Sequence, residues 1–233
     1  MNNEHQISDK ELAGCIDHTL LGATATSEQI KQLCEEAKSY GFAAVFVNPR
    51  WVDLAAEQLA EAKVAVGGVV SLPLGADSTK IKVAQAKEAI FAGADEIDMV
   101  ADLAAIIEGD EKYLSGQLRA VLKVCHSMRP KVCLKVIIES AALTEKQKIF
   151  ACRIADGVGV DFVKTSTGMN PAGGATVEDV KLMKEAAPNC KVKAAGGIRT
   201  AKQALEMLEA GAERIGTSSG VQIINQFKRG QIQ

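Results

Sequence analysis

Three lysines lie inside apolar runs of the sequence, where a charged side chain is unusual. Lys135 occurs in CLKVIIES, Lys164 in DFVKTSTG and Lys193 in KVKAAGG. A lysine that is partly desolvated and close to other cations has a lowered pKa, and its neutral amine can form a Schiff base with a carbonyl compound. The pattern therefore predicts imine chemistry if the three side chains converge. Each lysine taken alone also fits a snorkelling or ion-paired side chain.

Carboxylates occur in comparable positions. Asp17 lies in CIDHTLL and Asp98 in EIDMV, again within short apolar runs. A carboxylate near a reactive lysine can pair with it or transfer protons during the reaction. For a single aspartate, a hydrogen-bonded structural role is the alternative. These residue types leave open which of the lysines is the nucleophile and which carbonyl compound it attacks.

Two glycine-rich turns are the second set of candidate functional residues. AAGGIRT contains Gly196, Gly197 and Arg199, and GTSSG contains Ser218 and Ser219. Glycines allow backbone N–H groups to approach an anion, and helix N-termini favour the anion electrostatically. The turns predict a phosphate site, with two tight strand-to-helix turns as the structural alternative.

The elements that must position these residues alternate along the chain. Short runs rich in β-branched residues are separated by segments of helical periodicity. The predicted strands are Cys15–Asp17, Ala43–Val47, Val64–Val70, Glu96–Val100, Val132–Ile137, Val160–Lys164, Lys191–Lys193 and Arg214–Gly216. Each unit has the size of one strand–helix repeat, so the sequence predicts a single (β/α)8 TIM barrel with a short N-terminal helix.

Helix boundaries support this division. Capping-box spacing marks three predicted helix starts, at Thr26/Gln29, Thr144/Gln147 and Thr200/Gln203. Gly41, Gly93 and Gly211 stand where helices should end. A doubly wound open sheet is the alternative architecture, and the absence of G-x-G-x-x-G after the first predicted strand weakens its dinucleotide-binding version. In a barrel of this class, the loops after strands seven and eight form the recurrent phosphate site, which is where the two glycine-rich turns fall.

Length and composition bound the function. The chain has 233 residues, a formal net charge of −2 and 4% aromatic residues. We expect one domain over residues 1–233, no nucleic-acid partner and no membrane partner. The polar N-terminus MNNEHQISDKEL predicts a cytoplasmic protein. The histidines lack H-x-x-H spacing and the six cysteines lack C-x-x-C spacing, so we expect reduced thiols, no metal and no cofactor.

The motifs taken together resemble those of one enzyme family. The chain is similar to deoxyribose-phosphate aldolases, in order, at IDHTLL, EIDMV, LKVIIES, DFVKTSTG, VKAAGGIRT and GTSSG. The resemblance implies a class I aldolase that reversibly cleaves 2-deoxy-D-ribose 5-phosphate to acetaldehyde and D-glyceraldehyde 3-phosphate. It also implies a small-molecule sugar phosphate as the partner, a cytoplasmic role in deoxynucleoside catabolism, and a homodimer or higher homo-oligomer.

The resemblance assigns roles to individual positions. It implies that Lys164 is the Schiff-base nucleophile, Lys193 its electrostatic partner and Asp98 the proton donor and acceptor, acting through a water. Lys135 matches a structural and relay lysine near that aspartate. The remaining matches are Asp17 and Thr19 near the substrate hydroxyls, and Gly168, Gly196, Gly197, Ser218 and Ser219 in the phosphate-facing turns.

Two positions depart from the family pattern. Phe46, in AAVFVNP, stands where many members carry cysteine, so the pocket wall differs. The loop MNPAGGAT after Gly168 is slightly longer than is common, which makes phosphate contacts from Met169 the least secure.

Other functions fit parts of the pattern. They are an acid–base isomerase or another lysine aldolase on a phosphate-binding barrel, and a catalytically inactive sugar-phosphate binding protein. A metal-dependent aldolase is a further alternative, but this chain lacks the ligand spacing that such an enzyme requires.

Overall fold

A short helix precedes the first strand. The computed structural model describes residues 7–231, so residues 1–6 of the polar N-terminus used for the localisation prediction lie outside it. The first helix, α1, spans Asp9–Ala13 and begins with a capping box, in which Ser8 and Glu11 bond each other's backbone N–H groups. The predicted N-terminal helix is therefore confirmed.

Eight parallel strands close into a barrel in chain order. They are β1 (Ile16–Leu20), β2 (Ala44–Val47), β3 (Ala65–Val70), β4 (Glu96–Val100), β5 (Cys133–Ile137), β6 (Phe162–Lys164), β7 (Lys191–Ala195) and β8 (Arg214–Thr217). The predicted TIM barrel is confirmed, and the doubly wound alternative is wrong, because β8 pairs with β1. Predicted strand ends differ from the observed ones by only a few residues, most at β1, which ends at Leu20.

Helices surround the barrel and connect its strands. They are α2 (Ser27–Tyr40), α3 (Val52–Leu59), α4 (Thr79–Phe91), α5 (Leu103–Glu108), α6 (Glu111–Ser127), α7 (Glu145–Val158), α8 (Val177–Ala186), α9 (Ala201–Glu209) and α10 (Gly220–Lys228). Two helices, α5 and α6, share the β4–β5 connection. No helix within residues 7–231 is both long enough and apolar enough to cross a membrane.

The predicted helix boundaries match local backbone geometry. Thr26, Thr144 and Thr200 each form a capping box with the glutamine three residues later, which satisfies backbone donors at the helix start. Gly41, Gly93 and Gly211 all have positive φ at or just after helix ends, a conformation that suits glycine. These turns send the chain from each helix directly into the following strand.

Most of the apolar core lies between the barrel and its helices. Outward-facing strand residues such as Val45, Ile97 and Val163 belong to this large cluster. A second, small cluster inside the barrel consists of Ala44, Phe46 and Val69. The barrel interior also holds several charged side chains, which is unusual for a buried core and directs attention to what those charges do.

Candidate active site

Strand alternation turns the predicted lysines and aspartates into the barrel. Lys164 lies beside Lys193 in the β6–β7 register, and Asp98 beside Lys135 in the β4–β5 register. Asp17 on β1 faces inward as well, and its carboxylate lies 2.6 Å from the Nζ atom of Lys193. Because side chains of neighbouring barrel strands form layers, the three lysines predicted from sequence converge on one region.

Asp98 is the centre of this arrangement. Its Oδ2 atom accepts hydrogen bonds from Lys164 Nζ at 2.6 Å and from Lys193 Nζ at 2.7 Å, and its side chain is fully buried. Burial alone would raise the pKa of Asp98, but Lys164, Lys193 and Lys135 together hold it well below its usual range. The Oδ1 atom has no hydrogen-bond partner among residues 7–231. Asp98 is therefore an ionised carboxylate whose Oδ1 atom accepts no hydrogen bond from these residues and lies 3.8 Å from Lys135 Nζ.

Lys164 is buried and yet close to losing its proton at moderate pH. Its side chain is only 4% exposed. Burial, and secondarily the charge of Lys193, lower the pKa of Lys164 to about 8, against the opposing attraction of Asp98. The neutral Lys164 amine is therefore far more accessible near neutral pH than that of an ordinary lysine. Such an amine is a competent nucleophile toward an aldehyde.

Asp17 lies deeper in the barrel than the sequence predicted. One of its oxygens is 2.6 Å from Lys193 Nζ and the other accepts a 2.6 Å hydrogen bond from Arg214 Nε. Burial would raise the pKa of Asp17, but Lys193, Lys135 and Arg214 lower it. Its carboxylate is fully buried and does not line the substrate-sized cavity described below, whereas Thr19 does. The structure thus separates the two residues that were expected together at the substrate hydroxyls.

Two charged residues of the site were missed by sequence reasoning. Arg214 Nη2 donates to both carboxylate oxygens of Glu96, at 2.8 and 2.9 Å, and Lys135 bonds the same carboxylate. Burial would lower the pKa of Lys135, but Asp17, Glu96 and Asp98 raise it. Both missed residues begin their strands, away from the C-terminal strand ends where a barrel of this class places its site. The sequence did carry a signal for them, because residues two apart in a strand point to the same face. Glu96 therefore faces inward with Asp98, and Arg214 with Gly216.

We call this set the interior charge cluster. It consists of Asp17, Glu96, Asp98, Lys135, Lys164, Lys193 and Arg214. Among residues 7–231, no group of three or more histidine, cysteine, aspartate or glutamate side chains is arranged to hold a metal ion.

A cavity of about 300 Å³ opens above the cluster at the C-terminal end of the barrel. Of the interior charge cluster, Lys164 alone lines it. The other lining residues predicted from sequence are Thr19, Gly168, Gly196, Gly197, Arg199 and Ser218. Ser219 lies outside the cavity, at the start of α10, where its N–H donates to Thr217 Oγ1. The cavity is therefore lined by both the Lys164 amine and the glycine-rich turns.

The turns are held in place by contacts between glycines. Gly168, Gly196 and Gly197 have positive φ, and a Cβ atom added to Gly174 would overlap the backbone of Gly196. The N–H of Ala175 also donates to the carbonyl of Gly196 at 3.1 Å. The longer loop after β6 thus rests directly on the turn after β7, which fixes backbone N–H groups around the cavity. Met169, 44% exposed, lines the same cavity.

Two further residues of the β5 and β6 ends support the site. Thr165 Oγ1 bonds both the N–H and the carbonyl of Ala195, each at 3.0 Å, and so ties β6 to β7 next to Lys164. Glu139, buried after β5, accepts a 2.7 Å hydrogen bond from Thr167 Oγ1. Burial raises the pKa of Glu139. These bonds set the backbone path around Lys164.

Comparison with known proteins gives a consistent result. A family model described as DeoC/LacD family aldolase matches residues 12–226. A deoxyribose-phosphate aldolase from Thermococcus gammatolerans is 54% identical over 217 residues, which cover 92% of this chain and 95% of that protein. One from Thermococcus kodakarensis is 52% identical over 221 residues, covering 94% and 97%.

Solved structures agree. The tetrameric deoxyribose phosphate aldolase from Aeropyrum pernix superposes with a TM-score of 0.88 at 31% identity, covering 95% of this chain and 92% of that one. The aldolase QR15 gives a TM-score of 0.87 at 37% identity, covering 95% and 97%.

Proposed function

The chain belongs to the DeoC/LacD family of aldolases, and on this premise we propose that it reversibly cleaves 2-deoxy-D-ribose 5-phosphate to acetaldehyde and D-glyceraldehyde 3-phosphate. The observation that carries the proposal is the position of Lys164. It is the member of the interior charge cluster that reaches the cavity, and its pKa is lowered to about 8. A lysine in that state can form an imine at neutral pH.

Imine formation is the first step. The neutral Nζ atom of Lys164 attacks C1 of the open-chain aldehyde, and the carbinolamine then loses water to give an imine. Lys193 and Asp98 stay ion-paired beside it, at 2.7 Å. The charge of Lys193 disfavours the protonated amine of Lys164 before the reaction.

Carbon–carbon cleavage follows. The protonated imine accepts the electron pair of the C2–C3 bond while the 3-hydroxyl proton passes to Asp98 through a water. The Oδ1 atom of Asp98, which accepts no hydrogen bond from residues 7–231, would receive that proton from the water. D-Glyceraldehyde 3-phosphate leaves, and the enamine that remains is protonated at C2 and hydrolysed to acetaldehyde, which restores Lys164.

The phosphate would occupy the glycine-rich end of the cavity. Gly168, Gly196 and Gly197 present backbone groups there, with Ser218 and the exposed Arg199 beside them. Ser219 would contribute through the start of α10 rather than through the cavity wall. In the proposed binding mode, the aldehyde carbon of the sugar would lie at Lys164 and its phosphate at the barrel mouth.

Borohydride trapping tests the assignment. Incubation with acetaldehyde and borohydride should leave an ethyl group on Lys164, found by peptide mass spectrometry, and abolish activity. Lys164→Arg should give no adduct, whereas the exposed-lysine control Lys87→Arg should behave as the wild type. An adduct on Lys135 or Lys193, or none at all, would refute the assigned nucleophile.

The alternative functions give different results in the same assays. An acid–base isomerase would resist borohydride inactivation, and an inactive binding protein would not turn over deoxyribose 5-phosphate. A metal-dependent aldolase would lose activity with a chelator, whereas lysine-imine chemistry would not.

We further propose a homo-oligomer that works in cytoplasmic deoxynucleoside catabolism. The tetrameric relative from Aeropyrum pernix supports self-association. Light scattering of the purified protein would measure the assembly, and a monomer at micromolar concentration would contradict it. Accumulation of deoxyribose 5-phosphate after deletion would test the catabolic role.

A further inference from the structure

The interior charge cluster contains one more cation than carboxylates. Its cationic side chains are Lys135, Lys164, Lys193 and Arg214, and its carboxylates are Asp17, Glu96 and Asp98. Loss of one proton therefore balances the buried charge, and burial favours that loss. Arg214 keeps its proton at any pH the protein tolerates, so a lysine must lose it. The reaction depends on which lysine does so.

Lys193 has an additional partner that carries no charge, the aromatic ring of Phe46. Its Nζ atom lies 3.6 Å from the ring centroid, and that of Lys135 lies 4.6 Å away. Phe46 is 1% exposed, so water does not screen these contacts, and a cation–π attraction is stronger when desolvated. Among the residues that the structure describes, no ring lies over the Lys164 ammonium group in this way.

The neighbouring strand leaves room for this ring. The β2–β3 register pairs Phe46 with Gly67. A Cβ atom added to Gly67 would overlap the edge of the Phe46 ring. Any larger residue at this position would push the ring away from Lys193. Two adjacent strands therefore hold the aromatic face under the ammonium group.

We propose that Phe46 is a positioning residue whose ring face stabilises the ammonium form of Lys193, so that the proton shared by the lysine pair stays on Lys193 and leaves Lys164 free to attack the substrate. The inference rests on the proposed function, in which Lys164 is the nucleophile. Phe46 itself does not line the cavity, so it acts through Lys193 and not through the substrate.

Other charges around Lys193 are shared with its neighbours. Asp17 from β1 and Asp98 from β4 contact its Nζ atom directly. The cations that share these carboxylates are Lys135 from β5, Lys164 from β6 and Arg214 from β8. Phe46 is thus the contact that favours the Lys193 ammonium without also binding Lys164 or Arg214.

A fluorination series separates the electrostatic effect of the Phe46 ring face from the effect of the ring's volume. Site-specific mono-, di- and trifluorinated phenylalanine at position 46 weakens the negative face stepwise while the shape of the ring is nearly kept. Carbon NMR of ε-labelled lysine, assigned with Lys193→Arg, follows the proton on Lys193 without any assay of activity. We expect the Lys193 titration midpoint to fall with each fluorine, by about one pH unit for the trifluorinated ring.

The matched control is the same series at Phe42, which is equally buried but packs against His18 and Tyr40 outside the barrel. There the Lys193 midpoint should stay unchanged. In kinetics, the series at position 46 should move the alkaline limb of kcat/KM to lower pH by the same amount, while the acid limb, set by Lys164, stays in place. Phe46→Leu should shift the alkaline limb in the same direction.

The outcomes separate the hypotheses. An unchanged Lys193 midpoint across the series overturns the contact, and a shifted midpoint with an unmoved alkaline limb overturns the positioning role. If the unmodified protein forms no imine on Lys164, the proposed function fails, and the NMR titration still decides whether Phe46 holds the proton on Lys193.

Discussion

Lys164 differs from the other lysines of the barrel in the number of carboxylates around it. Among residues 7–231 it pairs with Asp98 alone, whereas Lys193 contacts both Asp17 and Asp98, and Lys135 approaches three carboxylates. Although both side chains are buried, their pKa values therefore shift in opposite directions. The pKa of Lys164 is lowered, and that of Lys135 is raised. The sequence could show three buried lysines, but the number of partners of each depends on the closed barrel.

Removal of Lys193 tests this account at the residue scale. In Lys193→Met, Lys164 loses a neighbouring cation and becomes the main partner of Asp98, so the pKa of Lys164 should rise. We expect the acid limb of kcat/KM to move up by about one pH unit, and activity at pH 7 to fall about tenfold or more. Lys191→Met, on the same strand but exposed and paired with Glu213, is the control. An acid limb that stays in place would contradict the charge effect.

At the scale of elements, the loops after β6 and β7 work as one unit because their backbones touch. Sequence reasoning identified the glycines of the phosphate turns but could not show that Gly174, in the longer loop, packs on Gly196. That contact joins segments separated along the chain, and its only local signal is the lack of a side chain. Local sequence likewise could not separate Ser219 from Ser218, of which only Ser218 lines the cavity.

Gly174→Ala should damage phosphate binding without damaging imine chemistry. The new Cβ atom forces the two loops apart, so KM for deoxyribose 5-phosphate should rise about tenfold or more, which corresponds to a loss of about 1.4 kcal/mol. Trapping of acetaldehyde, which carries no phosphate, should be unaffected. Gly116→Ala, at an open and exposed position of α6, should leave KM unchanged and stabilise the protein by about 0.5–1 kcal/mol. Equal KM values for the two variants would refute the loop contact.

A buried lysine outside the active site makes a second prediction at this scale. Lys82 of α4 donates to the carbonyl of Val100 at 2.8 Å and to Gln117 Oε1 of α6 at 2.7 Å, and no carboxylate in the described part of the chain is bonded to it. Burial lowers the pKa of Lys82 to about 8. The folded state therefore binds fewer protons than the unfolded state between pH 8 and the ordinary lysine value, and stability should rise with pH across that interval.

Comparison of Lys82→Met with the wild type isolates this contribution. The wild type should gain up to about 3 kcal/mol in free energy of unfolding, relative to the variant, between pH 8 and about 10.4. Urea denaturation at a series of pH values measures the difference. The exposed Lys87→Met on the same helix should give a constant offset. A constant offset for Lys82→Met as well would show that its proton is not lost on folding.

For the whole molecule, the interior charge cluster joins strands that are far apart in sequence and on opposite sides of the barrel. Arg214 of β8 bonds Asp17 of β1 and Glu96 of β4. The barrel itself was predictable, because strand alternation, capping boxes and helix-end glycines are local signals. The contact between Glu96 and Arg214 was not, although alternation placed each of them on the inward face, because only closure of the barrel brings the starts of β4 and β8 together.

Loss of Arg214 should therefore weaken the entire fold. Arg214→Met removes the guanidinium hydrogen bonds of two buried carboxylates, which keep only Lys135 and Lys193 as cationic partners, and we expect it to lower the free energy of unfolding by about 1.5–3 kcal/mol. The exposed Arg119→Met should change stability by less than about 0.5 kcal/mol. Urea titrations of both variants would measure this contrast. Similar midpoints would show that the hydrogen bonds of the Arg214 guanidinium contribute little to stability.

The Arg214 bonds also have a consequence for synthesis of the chain on the ribosome. Residues 17 and 214 are separated by 197 positions, and the three lysines of the interior charge cluster lie between them. Until β8 has emerged, Asp17 and Glu96 lack their guanidinium partner, and a partly made chain cannot bury them without cost. A nascent chain that ends before residue 214 should thus remain open to proteases and chaperones, and the reactive amine of Lys164 would acquire its environment only when translation is nearly complete.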